Sequence, residues 1–301
     1  MRDSEGSVMR IIEDESIKVG ILAGGLGSRL AEETSTRPKP MVEIGGMPIL
    51  WHIMKLYSHF GFNDFAIALG YKGEYIKRWF RDYCSNQGSV SLNVRSGDLV
   101  RHSRNLLPEW NVDLVDTGMN SGTGGRIKKL GPWLGNKTML ITWGDGVADI
   151  NIHELLAFHR SHGRLATLTA VRPPARYGRL DIDGDQITKF SEKPQIGEGW
   201  INGAFFVLEP GVLDFIESEE EMFEQGPLSR LAREGQLMAY HHRSFWQCMD
   251  TMREKQILTQ LWQSGKAPWQ IWKDEVDEGP ADWTPGVHWD GPGAEAPRAR
   301  A

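Results

Sequence analysis

Apolar positions recur along this chain at two periods, and segments of the two kinds alternate. Residues 18–23 (KVGILA) form an apolar run of strand length that meets a cluster of glycines, Gly24, Gly25 and Gly27. Residues 48–60 then carry apolar side chains at helical spacing (Ile49, Ile53, Met54, Leu56, Phe60). Pro48 sits in the first turn and Gly61 is the stop, so a helix is predicted there. A buried strand is predicted at 64–70 (DFAIALG), an amphipathic helix at 73–83, a strand at 138–143, a helix at 151–162 and a strand at 166–171. Strands alternating with helices of this size predict an α/β protein with a mainly parallel sheet and helices on both faces.

The pattern changes after Pro173. Residues 178–182 and 186–191 alternate on either side of Asp183-Gly184-Asp185, which predicts a hairpin. A further strand is predicted at 200–208, and the three strands read as an antiparallel insertion beside the main sheet, forming one wall of a cleft. A late helix is predicted at 251–263. Residues 1–16 read as a flexible leader and 17–272 as one domain. From Lys273 on, 29 residues hold four prolines and four glycines, so 273–301 reads as a loosely ordered tail in which Trp283 and Trp289 can dock on a surface. No internal repeat is visible.

Composition narrows the field of functions. Lys and Arg number 34 against 40 Asp and Glu, a formal net charge of −6 over 301 residues, which argues against a protein that holds nucleic acid by overall positive charge. Cys84 and Cys248 are the only cysteines and lack C-x-x-C spacing, so neither a disulfide framework nor a thiolate zinc site is expected. There is no apolar run long enough for a signal peptide or a membrane span, and a cytoplasmic setting is the expectation. Glycine is in excess, about 11% against a usual ~7%, and so is tryptophan, at 12 residues.

The glycine loop carries the first chemistry. Gly24-Gly25-Leu26-Gly27-Ser28-Arg29 follows a buried strand, where parallel sheets meet ligands, and glycines let backbone N–H groups approach a phosphate. The dinucleotide fingerprint G-x-G-x-x-G fails at Leu30, and no Gly-Lys-Ser/Thr completes a P-loop. Arg37-Pro38-Lys39-Pro40-Met41 comes next, and the prolines on both sides of Lys39 restrict its backbone. A pre-set lysine near a glycine loop and Arg29 suits the grip of a triphosphate. The loop alone is equally well read as a surface turn with solvated charges.

The combination LAGGLGSRL…RPKPMVEIGGMPIL resembles the sugar-1-phosphate nucleotidyltransferases, with their G-G-x-G-[ST]-R-L…[KR]-P-K-P pattern, and the resemblance runs from residue 18 to residue 272. The segments GYKGEYIKRWF, WNVDLVDTG, TGGRIKKL, WGDGVADI, EKP, INGAFFVL, FWQCMDT and LWQSGKAPW are similar to the branch that makes CDP-glucose from CTP and glucose 1-phosphate. The resemblance implies a Rossmann-like three-layer nucleotidyltransferase fold with a small antiparallel sugar-binding insertion. It implies CTP and α-D-glucose 1-phosphate as substrates, and CDP-glucose and pyrophosphate as products that feed surface-polysaccharide synthesis such as O-antigen. It also implies a homo-oligomer, often a hexamer, to which the Trp-rich segment 261–272 is expected to contribute, with neither nucleic acid nor membrane as partner. Another NTP or sugar phosphate is the alternative within the same fold, and a non-catalytic nucleotide-sugar-binding subunit the more distant one.

Residue by residue, the resemblance makes Leu22, Ala23, Gly24, Gly25, Leu26, Gly27, Ser28, Arg29 and Lys39 nucleotide contacts, together with Gly144. Arg29, Lys39 and Lys193 become the charges of catalysis. Asp145 in Trp143-Gly144-Asp145-Gly146 and Asp250 in Met249-Asp250-Thr251 become Mg²⁺ ligands. An Asp after a strand is more often a helix cap, and capping remains open for Asp149 and Asp250, each of which precedes a predicted helix. Tyr177, Gly178, Glu192, Lys193, Asn202 and Gly203 fall on the sugar-phosphate side. Trp246 either stacks on the hexose or packs in the core, and Glu192-Lys193-Pro194 read alone is as well an exposed strand end. Choice of base is assigned to Thr117, Thr123, Gly124 and Gly125, whose hydroxyl and backbone groups offer donors and acceptors to cytosine. Arg126 is either a nucleotide contact or the start of a helix on which Lys128 and Lys129 form a solvated face. His159 with His162 and His241 with His242 lack further ligands at metal spacing and read as solvated. No G-x-S-x-G elbow is present, so direct attack by substrate is the simpler mechanism. Two positions depart from the pattern: Cys248, where proline is usual, and Trp143, where Tyr or Phe is usual.

Overall fold

The computed structural model describes residues 17–85, 89–101, 107–173, 179–183, 186–191 and 199–272. The expected leader and tail therefore lie outside the described residues, as do Tyr177, Gly178, Glu192 and Lys193.

Seven strands make the central sheet: β1 (Val19–Leu22), β2 (Asp64–Leu69), β3 (Asn111–Asp116), β4 (Met139–Trp143), β5 (Ala166–Val171), β6 (Ile201–Leu208) and β7 (Leu237–His241). Their order across the sheet is β7-β5-β6-β4-β1-β2-β3, and every neighbouring pair is parallel except those made by β6. Six strands thus end on one edge of the sheet. The last residues of β1 and β4, Leu22 and Trp143, lie side by side there and open into the two sequence motifs of interest.

The α-helices of seven or more residues are α1 (Ile49–His59), α2 (Gly73–Ser85), α3 (Thr123–Leu134), α4 (Ile152–His162), α5 (Pro227–Arg233) and α6 (Met252–Gln263). Ile53, Met54 and Leu56 of α1, Ile76 and Phe80 of α2, Leu155 of α4 and Leu258 of α6 share one core. Ile127, Leu130 and Leu134 of α3 and Leu228 and Leu231 of α5 share the other. Both faces of the sheet are covered, which is why its middle strands read as continuous apolar runs.

The hairpin predicted after Pro173 is present, with Arg179–Asp183 paired antiparallel to Gln186–Ser191. The strand at 200–208 requires a correction. It is not part of an insertion beside the sheet: β6 lies inside the sheet between β5 and β4, with Phe205, Phe206, Val207 and Leu208 all at 1% exposure or less. Its unbroken apolar end, FFVL, is what an interior strand needs.

Three late tryptophans also find a place within the chain. Trp262, Trp269 and Trp272 surround His52 of α1, with ring centroids 4.5, 6.1 and 6.3 Å away. Trp269 and Trp272 are buried. Much of the 261–272 segment is thus spent on packing within the chain. The chain turns at Gly45 with φ 62°, and a Cβ there would lie 1.9 Å from the Trp262 ring, so only glycine fits.

Candidate active site

A cleft of about 290 Å³ opens at the carboxyl edge of β1 and β4. Its walls come from residues of the 22–29 loop, from Lys39 and Pro40, from Ser121, Thr123 and Arg126, from Trp143, Gly144 and Asp145, and from Met222. Of the proposed nucleotide contacts, Leu22, Ala23, Gly24, Gly25, Gly27, Ser28, Arg29, Lys39, Thr123 and Gly144 line it. Leu26 does not, and its side chain is 61% exposed.

The loop turns at Gly27, where φ is 63° and a Cβ would press on Thr34 and on the stem of Lys39. The N–H groups of Gly25, Leu26 and Gly27 donate to no acceptor among the described residues, which leaves them for an anion. Arg29 and Lys39 close the same end. Lys39, 8% exposed, donates to Asp145 Oδ2 at 2.6 Å and also to Asp250 Oδ1. Arg29 Nη1 meets Asp250 Oδ2 at 2.8 Å. Burial alone would depress the Lys39 ammonium, but the two carboxylates outweigh it and hold its pKa above the ordinary lysine value.

Neither aspartate in question caps a helix. The N-cap of α6 is Thr251: its hydroxyl accepts from Glu254 N, while Glu254 Oε2 accepts from Thr251 N at 2.9 Å and from Asp250 N at 2.7 Å. Asp250 is thereby held by its backbone, with its carboxylate turned to Lys39 and Arg29. Asn151 caps α4, and Asp149 instead pairs with His242 Nε2 at 3.0 Å and Ser244 Oγ at 2.5 Å. Cys248, behind the aspartates, is pushed up to about 12 by burial and by Glu254, Asp250 and Asp145, so its thiol stays protonated.

At the far end, several groups assigned to the base turn out to be engaged within the protein. Thr117 is fully buried; its hydroxyl donates to Leu69 O at 2.6 Å and accepts from Arg126. Gly124 and Gly125 both donate their N–H groups to Glu221 O, and a Cβ on Gly125 would lie 1.9 Å from Glu219 O. Their glycine identity lets α3 start flush against the 219–221 segment, where both N–H groups are engaged. Arg126 is 4% exposed and spends its guanidinium on five acceptors: Leu69 O, Thr117 Oγ1 and Gly118 O through Nη1, Gly24 O and Met119 O through Nη2. It ties the glycine loop, the end of β2 and the 117–119 turn into one wall. Lys128 is exposed, as expected of a solvated face, and its ammonium donates to Ile216 O; Lys129 is half-buried and pairs with Glu219 Oε2.

On the sugar side, Asn202 Oδ1 accepts from Ala204 N at 2.8 Å, with Ala204 at φ 62°, and Trp246 Nε1 donates to Gly203 O at 2.8 Å. Trp246 is half-buried and braces this kink through its indole N–H. Among the histidines, the solvated reading fails for two. His159, 2% exposed, lies between Thr167 Oγ1 (2.8 Å) and Glu209 Oε1 (3.0 Å), and His242 is buried against Asp149. Among the described residues no group of three or more His, Cys, Asp or Glu is placed to hold a metal, and no helix is long and apolar enough to cross a membrane.

Residues 18–274 match the model of the family described as nucleotidyl transferase. The chain belongs to that family. Within it, the chain is 50% identical over 258 residues to the glucose-1-phosphate cytidylyltransferase of Salmonella typhi, covering 85% of this chain and all of that protein. It is 40% identical, with the same coverage, to the probable glucose-1-phosphate cytidylyltransferase of Bacillus subtilis. Among solved structures, HddC from Yersinia pseudotuberculosis complexed with GMP-PN superposes with a TM-score of 0.59 at 24% identity, covering 82% of this chain and 99% of that one. An apo UDP-glucose pyrophosphorylase gives 0.60 at 16% identity, covering 83% and 99%. These last two establish the α/β nucleotidyltransferase fold. The family motif around Gly24–Arg29 and Lys39 is the part that meets Asp145 and Asp250. Ser121 and Met222, which also line the cleft, went unnoticed in the sequence, because they lie in irregular loops with no periodicity to mark them.

Proposed function

We propose that this protein transfers the cytidylyl group of CTP to α-D-glucose 1-phosphate, giving CDP-glucose and pyrophosphate. The observation that carries this reading is the meeting of Arg29, Lys39 and Asp145, which line the glycine-loop end of one cleft, with Asp250, which pairs with Arg29 and Lys39. The relatives it matches over their whole length carry the name of this activity.

In this reading a phosphate oxygen of the sugar phosphate attacks the α-phosphorus of CTP. A new P–O bond forms as the bond to the bridging oxygen breaks, and pyrophosphate leaves with that electron pair. The free N–H groups of Gly25, Leu26 and Gly27 take the triphosphate, and Arg29 and Lys39 offset the repulsion between two polyanions. Asp145 and Asp250 already converge on one cation, the Lys39 ammonium, and a pair of carboxylates around a shared positive charge is a donor set suited to Mg²⁺, with phosphate oxygens and water completing it. Bound there, Mg²⁺ neutralises charge on the phosphates. Glu192, Lys193, Tyr177 and Gly178 supply the sugar-phosphate side together with Asn202 and Gly203. The product serves nucleotide-sugar metabolism, and the protein works as a soluble homo-oligomer.

Pyrophosphate release measured across CTP, UTP, ATP and GTP with glucose 1-phosphate tests the reading. CTP is expected to give turnover that EDTA abolishes; preference for another NTP overturns the substrate assignment.

A further inference from the structure

The polar side chains at the end of the cleft away from Arg29 and Lys39 are engaged within the protein. Arg126 bonds to Thr117 and to backbone carbonyls. Thr123 accepts from Phe223 N at 2.8 Å and donates to Glu224 Oε2 at 2.5 Å, and Ser121 donates to Thr117 O and accepts from Lys129 Nζ at 3.3 Å. The wall still offers an apolar surface. Of its apolar residues, Leu22, Ala23 and Pro40 are buried, and Trp143 is half-buried with its ring 4.7 Å from that of Phe206. Met222 alone is exposed, at 40%. Its backbone is nevertheless fixed on both sides. Before it, Glu219 O accepts from Gly122 N and Glu221 O from Gly124 N, both at 2.9 Å. After it, Phe223 N is bonded to Thr123, and the fully buried Phe223 ring packs beside Phe206 and Trp143. Met222 O accepts from Gln225 N at 3.1 Å. A Cβ on Gly122 would lie 2.3 Å from Glu221 O, so the glycines ahead of α3 are what let this segment lie against the helix start.

We propose that Met222 is a substrate-contact residue that packs its thioether chain against the face of the nucleotide base. This rests on the nucleotidyl-transfer reading above, in which Arg29 and Lys39 take the phosphates at one end and the base comes to the Thr123 end beside Met222. It is independent of which base is carried. A base presents a flat face of low polarity, and an unbranched side chain with a polarizable sulfur follows such a face and gains from sulfur–ring contact. A pocket lined by apolar groups, with a few polar ones to fix orientation, is the usual form of a small-molecule site. The contact is made to the face of the ring and not to its edge, so it adds affinity for the nucleotide without choosing between cytosine and uracil.

The first test needs no substitution. Hydrogen peroxide converts an exposed methionine to its sulfoxide, and peptide mass spectrometry reads the extent at Met222. Saturating CTP is expected to suppress most of the oxidation at Met222, whereas saturating inorganic tripolyphosphate, which carries the phosphates without a base, leaves it as it was. No protection by CTP, or equal protection by both, overturns the proposal. The second test is M222A. Its KM for CTP is expected to rise about tenfold, by more than kcat falls, because the contact is made equally in ground and transition states. The KM for pyrophosphate in the reverse reaction should stay at the wild-type value, and M222L, which keeps the apolar bulk, should recover most of the loss. An unchanged KM for CTP in M222A, an equal rise in the KM for pyrophosphate, or a KM in M222L as high as in M222A overturns the proposal. Should pyrophosphate release favour another NTP, the cytidylyl assignment fails, and that NTP takes the place of CTP in both tests, which then decide the role of Met222 separately. Absence of turnover with all four NTPs overturns the nucleotidyl-transfer reading and this proposal with it.

Discussion

Lys39 Nζ lies 2.6 Å from Asp145 Oδ2, although 106 residues separate the two in sequence. One comes from a proline-flanked turn after the glycine loop, the other from the end of β4, and Asp250 joins them from the N-terminal edge of α6. Three segments distant along the chain thus present one cation and two anions at a single point.

Asp145→Asn is expected to lower kcat by about 10³-fold or more, since it removes charge where the reaction concentrates it. Far-UV circular dichroism should be unchanged. Asp145 lines the cleft between two glycines, and the substitution keeps its backbone bond from Met249 N and an oxygen facing Lys39. Pyrophosphate release at saturating CTP and glucose 1-phosphate checks this, and near-wild-type turnover would remove Asp145 from the chemistry.

Arg126→Lys separates the two roles open to Arg126 in the sequence. A lysine has three donors at one nitrogen and cannot span acceptors as far apart as Gly24 O and Gly118 O. Buried carbonyls left without donors cost about 1–3 kcal/mol each; with partial relaxation we expect about 3 kcal/mol in all. For a domain of this size that is roughly 6–12 °C in Tm. KM for the nucleotide should rise in the same variant, because the glycine loop loses its tie to the 117–119 turn. An unchanged Tm would show that the five bonds carry no stability.

How much of this was legible beforehand depends on the range of the interaction. Residues 18–23, 64–70, 138–143 and 166–171 announced buried parallel strands, because burial on both faces leaves a local apolar run. Arg29, Lys39, Asp145 and Asp250 were legible from motif and chemistry, and the structure assembles all four. The role of Thr117 was not legible, since a Thr beside a glycine looks the same whether its hydroxyl faces solvent or Arg126. Nor was the place of β6, although the strand itself was predicted: its register between β4 and β5 depends on pairing with strands about 35 and 60 residues away, which no local period reports. β3 escaped notice as an edge strand, with half-exposed side chains and alternating polar positions, NVDLVD. Trp262, Trp269 and Trp272, opaque as part of a composition excess, gather around one buried imidazole.

That imidazole makes acid stability a prediction. His52 is fully buried, and Ile44 O lies 2.9 Å from its Nε2. Burial pushes its pKa down to about 4 from an ordinary 6.5, against the opposing pull of backbone partners. The unfolded chain therefore binds a proton between pH 6.5 and 4 that the folded chain refuses. The stability contributed by neutral His52 is complete above pH 6.5 and is lost as pH falls through 4. By linkage this is about 3 kcal/mol over the window. Tm measured from pH 7 to 4 should fall in the wild type and fall less in His52→Gln. Parallel curves would place the acid sensitivity elsewhere.

Thr251→Ala separates the positioning of Asp250 from its charge. The capping box spends Glu254 Oε2 on the N–H groups of Asp250 and Thr251, so the same bonds that start α6 fix the backbone beneath the carboxylate. Removing the Thr hydroxyl frees Glu254 N and loosens that box, at a cost of about 1 kcal/mol in stability. If the box only began a helix, the loss would end there and kcat would be untouched. Because Asp250 accepts from Arg29 and Lys39 while hanging from this turn, a shift of well under 1 Å misplaces two cations as well as one carboxylate. We therefore expect kcat to fall by about tenfold or more while Tm drops by only a few degrees. Thr251→Ser, which restores the hydroxyl, should recover both; recovery of Tm without kcat would assign the defect to the missing methyl group instead of the cap.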